Sequence, residues 1–216
     1  LPQVLSISLG SLGAYSCDLL CNKAADKGVA KADCNAFLQE QRQVCMFLSQ
    51  AQVERIHAGF KVLGARGVSV FGSSGDGGSH FSFQPFSGGS IADVLNDISC
   101  DYAMPVFPTA SPYVTSVGGT DWQGFFSPDP TKPEAWSGSG GGFSWQFPMP
   151  AHQTVTAGAY VKAHAGKSGF PQANVAFNAS GRAYPDISAV AVDGTSQSSP
   201  TMAGIFSLIT DHRLNA

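Results

Sequence analysis

The chain reads as an α/β fold built on a mostly parallel sheet, and three features of the sequence predict this. A strand, a long amphipathic helix and a second strand follow one another between residues 4 and 71, the order of a βαβ unit. A glycine-rich turn, Gly72-Ser73-Ser74-Gly75-Asp76-Gly77-Gly78, stands at the carboxyl end of the second strand. That is where open α/β sheets place their sites. A Ser-rich segment over 194–199 then opens a C-terminal helix.

Taken in order, Val4 to Leu9 reads as a buried strand ending at Gly10. Residues 11–48 form a Cys-rich insertion, with a helix expected around Ala36 to Gln43. Ser49 is a helix cap, and Val53, Ile56, Phe60 and Leu63 recur behind it at helical spacing. Gly64 and Gly67 close that helix, and Val68 to Phe71 is a short buried strand. Tyr113 to Val117 reads as another strand, closed by Gly118 and Gly119. Residues 123–144, rich in Gly, Pro and Ser, read as surface loop, and 187–192 as a further core strand. Pro200 to Leu214 is a helix with Met202, Ile205, Phe206 and Ile209 on its apolar face. With no internal repeat and no linker, 1–216 reads as one domain. It is expected to be incomplete at both ends, because a core strand starts beside Leu1 and the last helix reaches Ala216 without a cap signal.

At 216 residues the chain has room for one sizeable core. Only 12% of residues are charged and the net charge is −3, so neither nucleic acid nor an anionic membrane is indicated as a partner. No apolar run approaches the ~18 residues a bilayer span needs. Cys17, Cys21, Cys34 and Cys45 cluster in the insertion, enough for two bridges with three pairings open. They lack a Cys-x2-Cys knuckle, which weighs against zinc. Cys100 stands apart. Asn178-Ala179-Ser180 is an N-glycosylation sequon, and with the cysteines it favours a secretory or lysosomal route.

The strongest segment is Gly194-Thr195-Ser196-Gln197-Ser198-Ser199-Pro200. A serine at a helix N-terminus sits among unpaired N–H groups that stabilise negative charge on a substrate carbonyl. Its bland alternative is a Ser-rich helix cap. Alone, Ser74-Gly75-Asp76-Gly77 is an Asp-Gly turn and Ile7-Ser8-Leu9-Gly10 a strand end.

Together and in this order, the three resemble the sedolisin family of serine-carboxyl peptidases, on its tripeptidyl-peptidase branch. The stretch from Phe107 to Thr120, Ser139 to Ser144 and Gly181 to Asp186 is similar to that family as well. The resemblance implies a subtilisin-like three-layer fold. It implies that Ser196 attacks the scissile carbonyl and that Asp76 stabilises the oxyanion with the Ser196 N–H. Ser8, Leu9 and Gly10 are implied to receive the substrate as an added strand, with Ser74, Gly75, Gly194 and Thr195 beside it. The family's base is a Glu oriented by an Asp four residues later; both lie upstream of the segment that Val4 to Gly10 matches, so neither is assigned here. Calcium is implied by the family, with ligands past the nucleophile helix and none in this chain; the partner of Cys100 is expected there too. The stretch from Tyr184 to Gly194 is shorter than the family's, with Ala189 to Asp193 read as a deletion junction.

An Asp donates to an oxyanion only when protonated, and a carboxylate base, with a reference pKa near ~4, suits acid conditions. An acidic working pH follows, on a peptide or protein substrate. Without its base the chain is expected to show little or no turnover alone. A Ser-His-Asp peptidase of the subtilisin kind is the enzyme alternative. None of His57, His80, His152, His164 and His212 has a His-Gly-Thr-like context, and Asp76 stands where subtilisins carry Asn. His80 reads as an exposed loop histidine. The alternative from another class is a peptide-binding pseudoenzyme.

Overall fold

The computed structural model describes residues 2–40, 44–45, 49–81, 90–123, 129–191 and 194–215. Along the chain, β1 (Val4–Ile7) and β2 (Ser11–Leu12) precede helices α1 (Ala14–Asp26), α2 (Lys31–Glu40) and α3 (Gln50–Ala65). Then come β3 (Ser69–Ser73), α4 (Ser90–Asp101), β4 (Val106–Phe107), β5 (Thr115–Gln123), β6 (Asp129–Ala135) and β7 (Gly142–Pro148). A 3-10 turn (Ala151–Gln153), α5 (Thr154–His164), β8 (Gly181–Tyr184), β9 (Ile187–Val190) and α6 (Thr195–Asn215) complete the order.

The main sheet runs β1, β3, β5, with β9 also on β5; these pairings are parallel. Only β6 is antiparallel, along the far end of β5. Successive strand residues point to opposite faces. On one face Leu5, Ile7 and Val70 pack with Val53, Ile56, Phe60 and Leu63 of α3. On the other, Val4, Phe71 and Val117 pack with Met202, Ala203 and Phe206 of α6. The expected three layers are therefore present, helix on sheet on helix.

Local chemistry explains the elements and their departures from expectation. Ser49 caps α3, its side chain accepting from the Gln52 N–H at 3.4 Å, and Gly67 turns the chain out of the helix at φ 78°. Gly118 and Gly119 do not close β5, which runs through them. A Cβ at Gly118 would fall 2.8 Å from Pro185, and one at Gly119 2.9 Å from Trp136 and from Ala191. These glycines serve packing rather than termination. The stretch read as loop over 123–144 holds β6 and the start of β7. Pro130 and Pro133 hide β6 from strand rules, and an edge strand is where proline is tolerated; residues 124–128 lie outside the described residues. β1 stops at Ile7, leaving Ser8 to Gly10 beyond it. α6 begins at Thr195, ahead of Pro200, and Ile205 and Ile209 are 44% and 47% exposed, so its packed face is narrower than expected.

Among its described residues the insertion holds two helices, α1 and α2, where one was expected around Ala36 to Gln43, residues 41–43 lying outside the described residues. Cys17 bonds Cys45 and Cys21 bonds Cys34, which selects one of the three pairings and uses up the thiols a zinc site would need. Leu12, Leu20 and Leu38 form a separate core with Leu95 and Ile98 of α4. The insertion also meets β7, where Tyr15 stacks on Trp145 with ring centroids 6.2 Å apart. Cys100 is an exposed free thiol.

Candidate active site

The three motifs converge where β1 and β3 end and α6 begins. Ser74 follows β3, wholly buried, its N–H donating to the Val117 carbonyl at 2.9 Å. It supports the turn from behind rather than facing solvent. Gly75 then takes φ 103°, a left-handed conformation that favours glycine, and Asp76 emerges exposed. The Gly140 N–H donates to the Gly75 carbonyl at 2.7 Å. A Cβ at Gly140 would lie 2.0 Å from the Ser74 carbonyl oxygen, so only glycine permits this approach. That is the physical content of the Ser139–Ser144 motif.

Thr195 ties this turn to α6. Its N–H donates to Asp76 Oδ1 at 2.8 Å. Its hydroxyl accepts from the Gly75 N–H at 3.1 Å. That hydroxyl lies 2.8 Å from Asp76 Oδ1 and 3.1 Å from the Gly75 carbonyl, and its single proton serves one of the two at a time. The Asp76 carboxylate thus caps a helix it does not belong to, at the end where the dipole favours an anion. Gly194, at φ 146°, brings the chain so close that a Cβ there would sit 3.1 Å from Asp76 Oδ2.

Ser196 is exposed on the first turn of α6. Its hydroxyl donates to the Ser8 carbonyl at 3.3 Å, and the Ser8 hydroxyl donates to the Ser196 carbonyl at 2.9 Å. Ser6 and Ser199 join hydroxyls at 3.1 Å. Ser198 donates to β9, its hydroxyl 3.1 Å from the Ala189 carbonyl. Ser8 and Leu9 are exposed, and Gly10 lies against β4, where a Cβ would be 2.4 Å from Val106 Cγ1. The hydroxyl ties at Ser6, Ser198 and Ser199 were not anticipated; the run of hydroxyl residues was their only signal. The junction read at Ala189 to Asp193 falls partly on residues 192 and 193, outside the described residues.

Chemically, the site offers an exposed hydroxyl at a helix N-terminus with a carboxyl group across from it. The acceptor of the Ser196 hydroxyl among the described residues is a backbone carbonyl, which is not a base. His80 is exposed in the loop after the turn. A cavity of about 1220 Å³ includes His80 in its lining but neither Ser196 nor Asp76. Its wall carries the buried Arg182, which donates to the Asp186 carboxylate and, at 2.9 Å, to the Val114 carbonyl. Asp186 also accepts from the Ser116 N–H at 2.7 Å and from Gln153 at 2.9 Å. The Gly181–Asp186 motif is therefore a brace on β5. Burial pushes the Tyr184 phenol up to about 12, and its oxygen accepts from the Val106 N–H at 3.3 Å. The sequon residue Asn178 is half-buried, donating to the Ser144 carbonyl at 3.3 Å.

The sequence matches no family model. It is 35% identical over 181 residues to Tripeptidyl-peptidase 1 of Rattus norvegicus, with 77% of this chain and 29% of the relative aligned. The same protein of Canis lupus familiaris is 36% identical, and that of Homo sapiens 35%, over the same shares. Over the aligned 77% of its length the chain resembles the tripeptidyl-peptidase branch of the sedolisin family. The fold agrees with that of Pseudomonas sedolisin, a serine-carboxyl proteinase solved with two molecules of pseudo-iodotyrostatin. The TM-score is 0.52 at 20% identity, covering 99% of this chain and 49% of that one. The chain spans about 29% of the length of the curated relatives it matches. Calcium accompanies the family, but among the described residues no group of three or more His, Cys, Asp or Glu is placed to hold a metal ion. The described residues do not fit a calcium site.

Proposed function

We propose that this chain carries the nucleophile and oxyanion side of a serine-type peptidase site. The supporting observation is the Thr195 tie, which sets the Asp76 carboxylate beside the residue preceding Ser196, across 119 positions of sequence. The Ser8–Gly10 edge receives a peptide as an added strand, with Gly75 and Gly194 keeping its path clear. The Ser196 oxygen then bonds to the peptide carbonyl carbon, and the carbonyl π pair moves onto its oxygen. Protonated Asp76 donates to that oxygen together with the Ser196 N–H. The hydroxyl proton leaves to a base that no described residue supplies. The chain by itself therefore turns over little or no peptide. Release of N-terminal tripeptides, an acidic optimum and a lysosomal or secreted location belong to the same reading; the two disulfides suit an oxidising route. No described helix is long and apolar enough to cross a membrane.

The test uses a peptide bearing a ¹³C-labelled C-terminal aldehyde, read by NMR at equilibrium. A missing base slows addition to the aldehyde without moving its end point. Wild-type protein is expected to hold the peptide as a hemiacetal, more at pH 4 than at pH 7. Ser196→Ala abolishes the adduct and Asp76→Ala weakens it. An adduct that persists in Ser196→Ala overturns the assignment. Turnover of a tripeptide substrate by the isolated chain, lost in Ser196→Ala, would overturn the inactivity. A second reading, peptide binding without chemistry, is favoured by the Ser196 hydroxyl resting on a carbonyl; it predicts bound, unmodified aldehyde.

A further inference from the structure

Pro200 is the sixth residue of α6 and has no N–H. The Ser196 carbonyl, four residues earlier, therefore lacks the i+4 N–H donor that a carbonyl in the first turns of a helix otherwise receives. The Ser8 hydroxyl fills that gap from the end of β1, at 2.9 Å. The Ser196 hydroxyl returns a bond to the Ser8 carbonyl at 3.3 Å. One residue thus grips both the hydroxyl and the carbonyl of Ser196, and the Ser6–Ser199 contact holds the same strand to the same turn. Both serines are exposed, where a hydroxyl ordinarily bonds water. Here the proline gap leaves a carbonyl without its i+4 donor, and the Ser8 hydroxyl takes it up.

We infer that the Ser8 side chain is a positioning residue for Ser196. Its hydroxyl stands in for the hydrogen bond that Pro200 removes. It thereby fixes the peptide unit that carries the nucleophile and keeps water from the carbonyl behind it. The role expected of Ser8 from its backbone, pairing with a peptide strand, does not require a hydroxyl. The inference rests on Ser196 being the nucleophile proposed above.

Two readouts on the intact chain test it: the Ser196 carbonyl ¹³C shift, and the equilibrium capture of the labelled peptide aldehyde. Ser8→Ala is expected to move the carbonyl shift and weaken capture about fivefold, the worth of a typical net hydrogen bond. Ser8→Thr restores both. Pro200→Ala returns the N–H donor, and in that background Ser8→Ala leaves the carbonyl shift unmoved. An unchanged carbonyl shift in Ser8→Ala overturns the inference. So does a moved shift with unchanged capture, because the bond is then structural only. Capture absent from wild type removes the nucleophile reading and this inference with it. Capture present, lost in Ser196→Ala and unaffected by Ser8→Ala, removes the inference alone.

Discussion

The Cys-rich insertion and the seam between the sheet and α6 are held together in opposite ways. In the insertion, two disulfides and an apolar core of Leu12, Leu20 and Leu38 do the work. A crosslink and a packed leucine tolerate many neighbours, so the segment constrains little of its own sequence. In the seam, Ser6, Ser8, Thr195, Ser196, Ser198 and Ser199 each set a hydroxyl on named atoms of a neighbouring segment. Changing any of them removes a specific bond. The contrast teaches why the motifs of this chain lie in the seam.

The largest effect is expected at the brace behind the seam. Arg182→Met takes a buried cation away from the partly exposed Asp186 carboxylate, strips the Val114 and Ala183 carbonyls of a donor, and should cost about 3–5 kcal/mol in denaturant unfolding. A loss near zero would mean the polar side of the contrast is decorative. Next comes the insertion. Replacing Cys17 and Cys45 together by serine opens a 28-residue loop and should cost about 3.5 kcal/mol on chain-entropy grounds. Hydrogen exchange should speed up in α1 and α2 and stay slow in β3 and β5. Melting of both regions together would break the comparison. Thr195→Val strips the Gly75 N–H of its acceptor and Asp76 of a donor, for about 1–3 kcal/mol confined to the seam, and Thr195→Ser should recover it.

The smallest effect is a pH slope. His57 of α3 stacks on Phe147, lies against Tyr113 and pairs with the Ser111 hydroxyl at 3.0 Å. Burial, and then the Lys61 charge, hold its pKa below the usual 6.5, with Glu54 opposing. The unfolded chain therefore takes up the proton first. This stabilisation is complete above pH 6.5 and drains away as pH falls from there toward the folded value. Between pH 7 and pH 5 the melting temperature of His57→Phe should fall less than that of wild type. Equal slopes would put the acid sensitivity on other groups.

Much of this was legible in the sequence, for identifiable reasons. Helical spacing exposed the α3 face, and a Ser cap marked its start. The site motifs could be read because Gly140, Gly194 and Thr195 each tolerate few substitutes: their constraint is a backbone approach or a single hydroxyl. The prolines of β6 suppressed its strand signal. Ile205 and Ile209 share the α6 period with Met202 and Phe206, yet periodicity cannot tell which part of a stripe meets the sheet. Cysteine spacing leaves pairing open by combinatorics. The side-chain role of Ser8 depends on Pro200, 192 positions away, and becomes visible only when the fold brings the two together.

The stacking of Trp145 on Tyr15 gives the molecule a built-in optical gauge. The indole N–H is anchored on the Ala103 carbonyl at 2.8 Å, so the ring has a fixed address on the sheet side. Its phenol neighbour rides on α1. Light absorbed by Tyr15 passes to Trp145 while the two touch. Tyrosine emission reappearing would report the insertion lifting from the body, in real time and without a label.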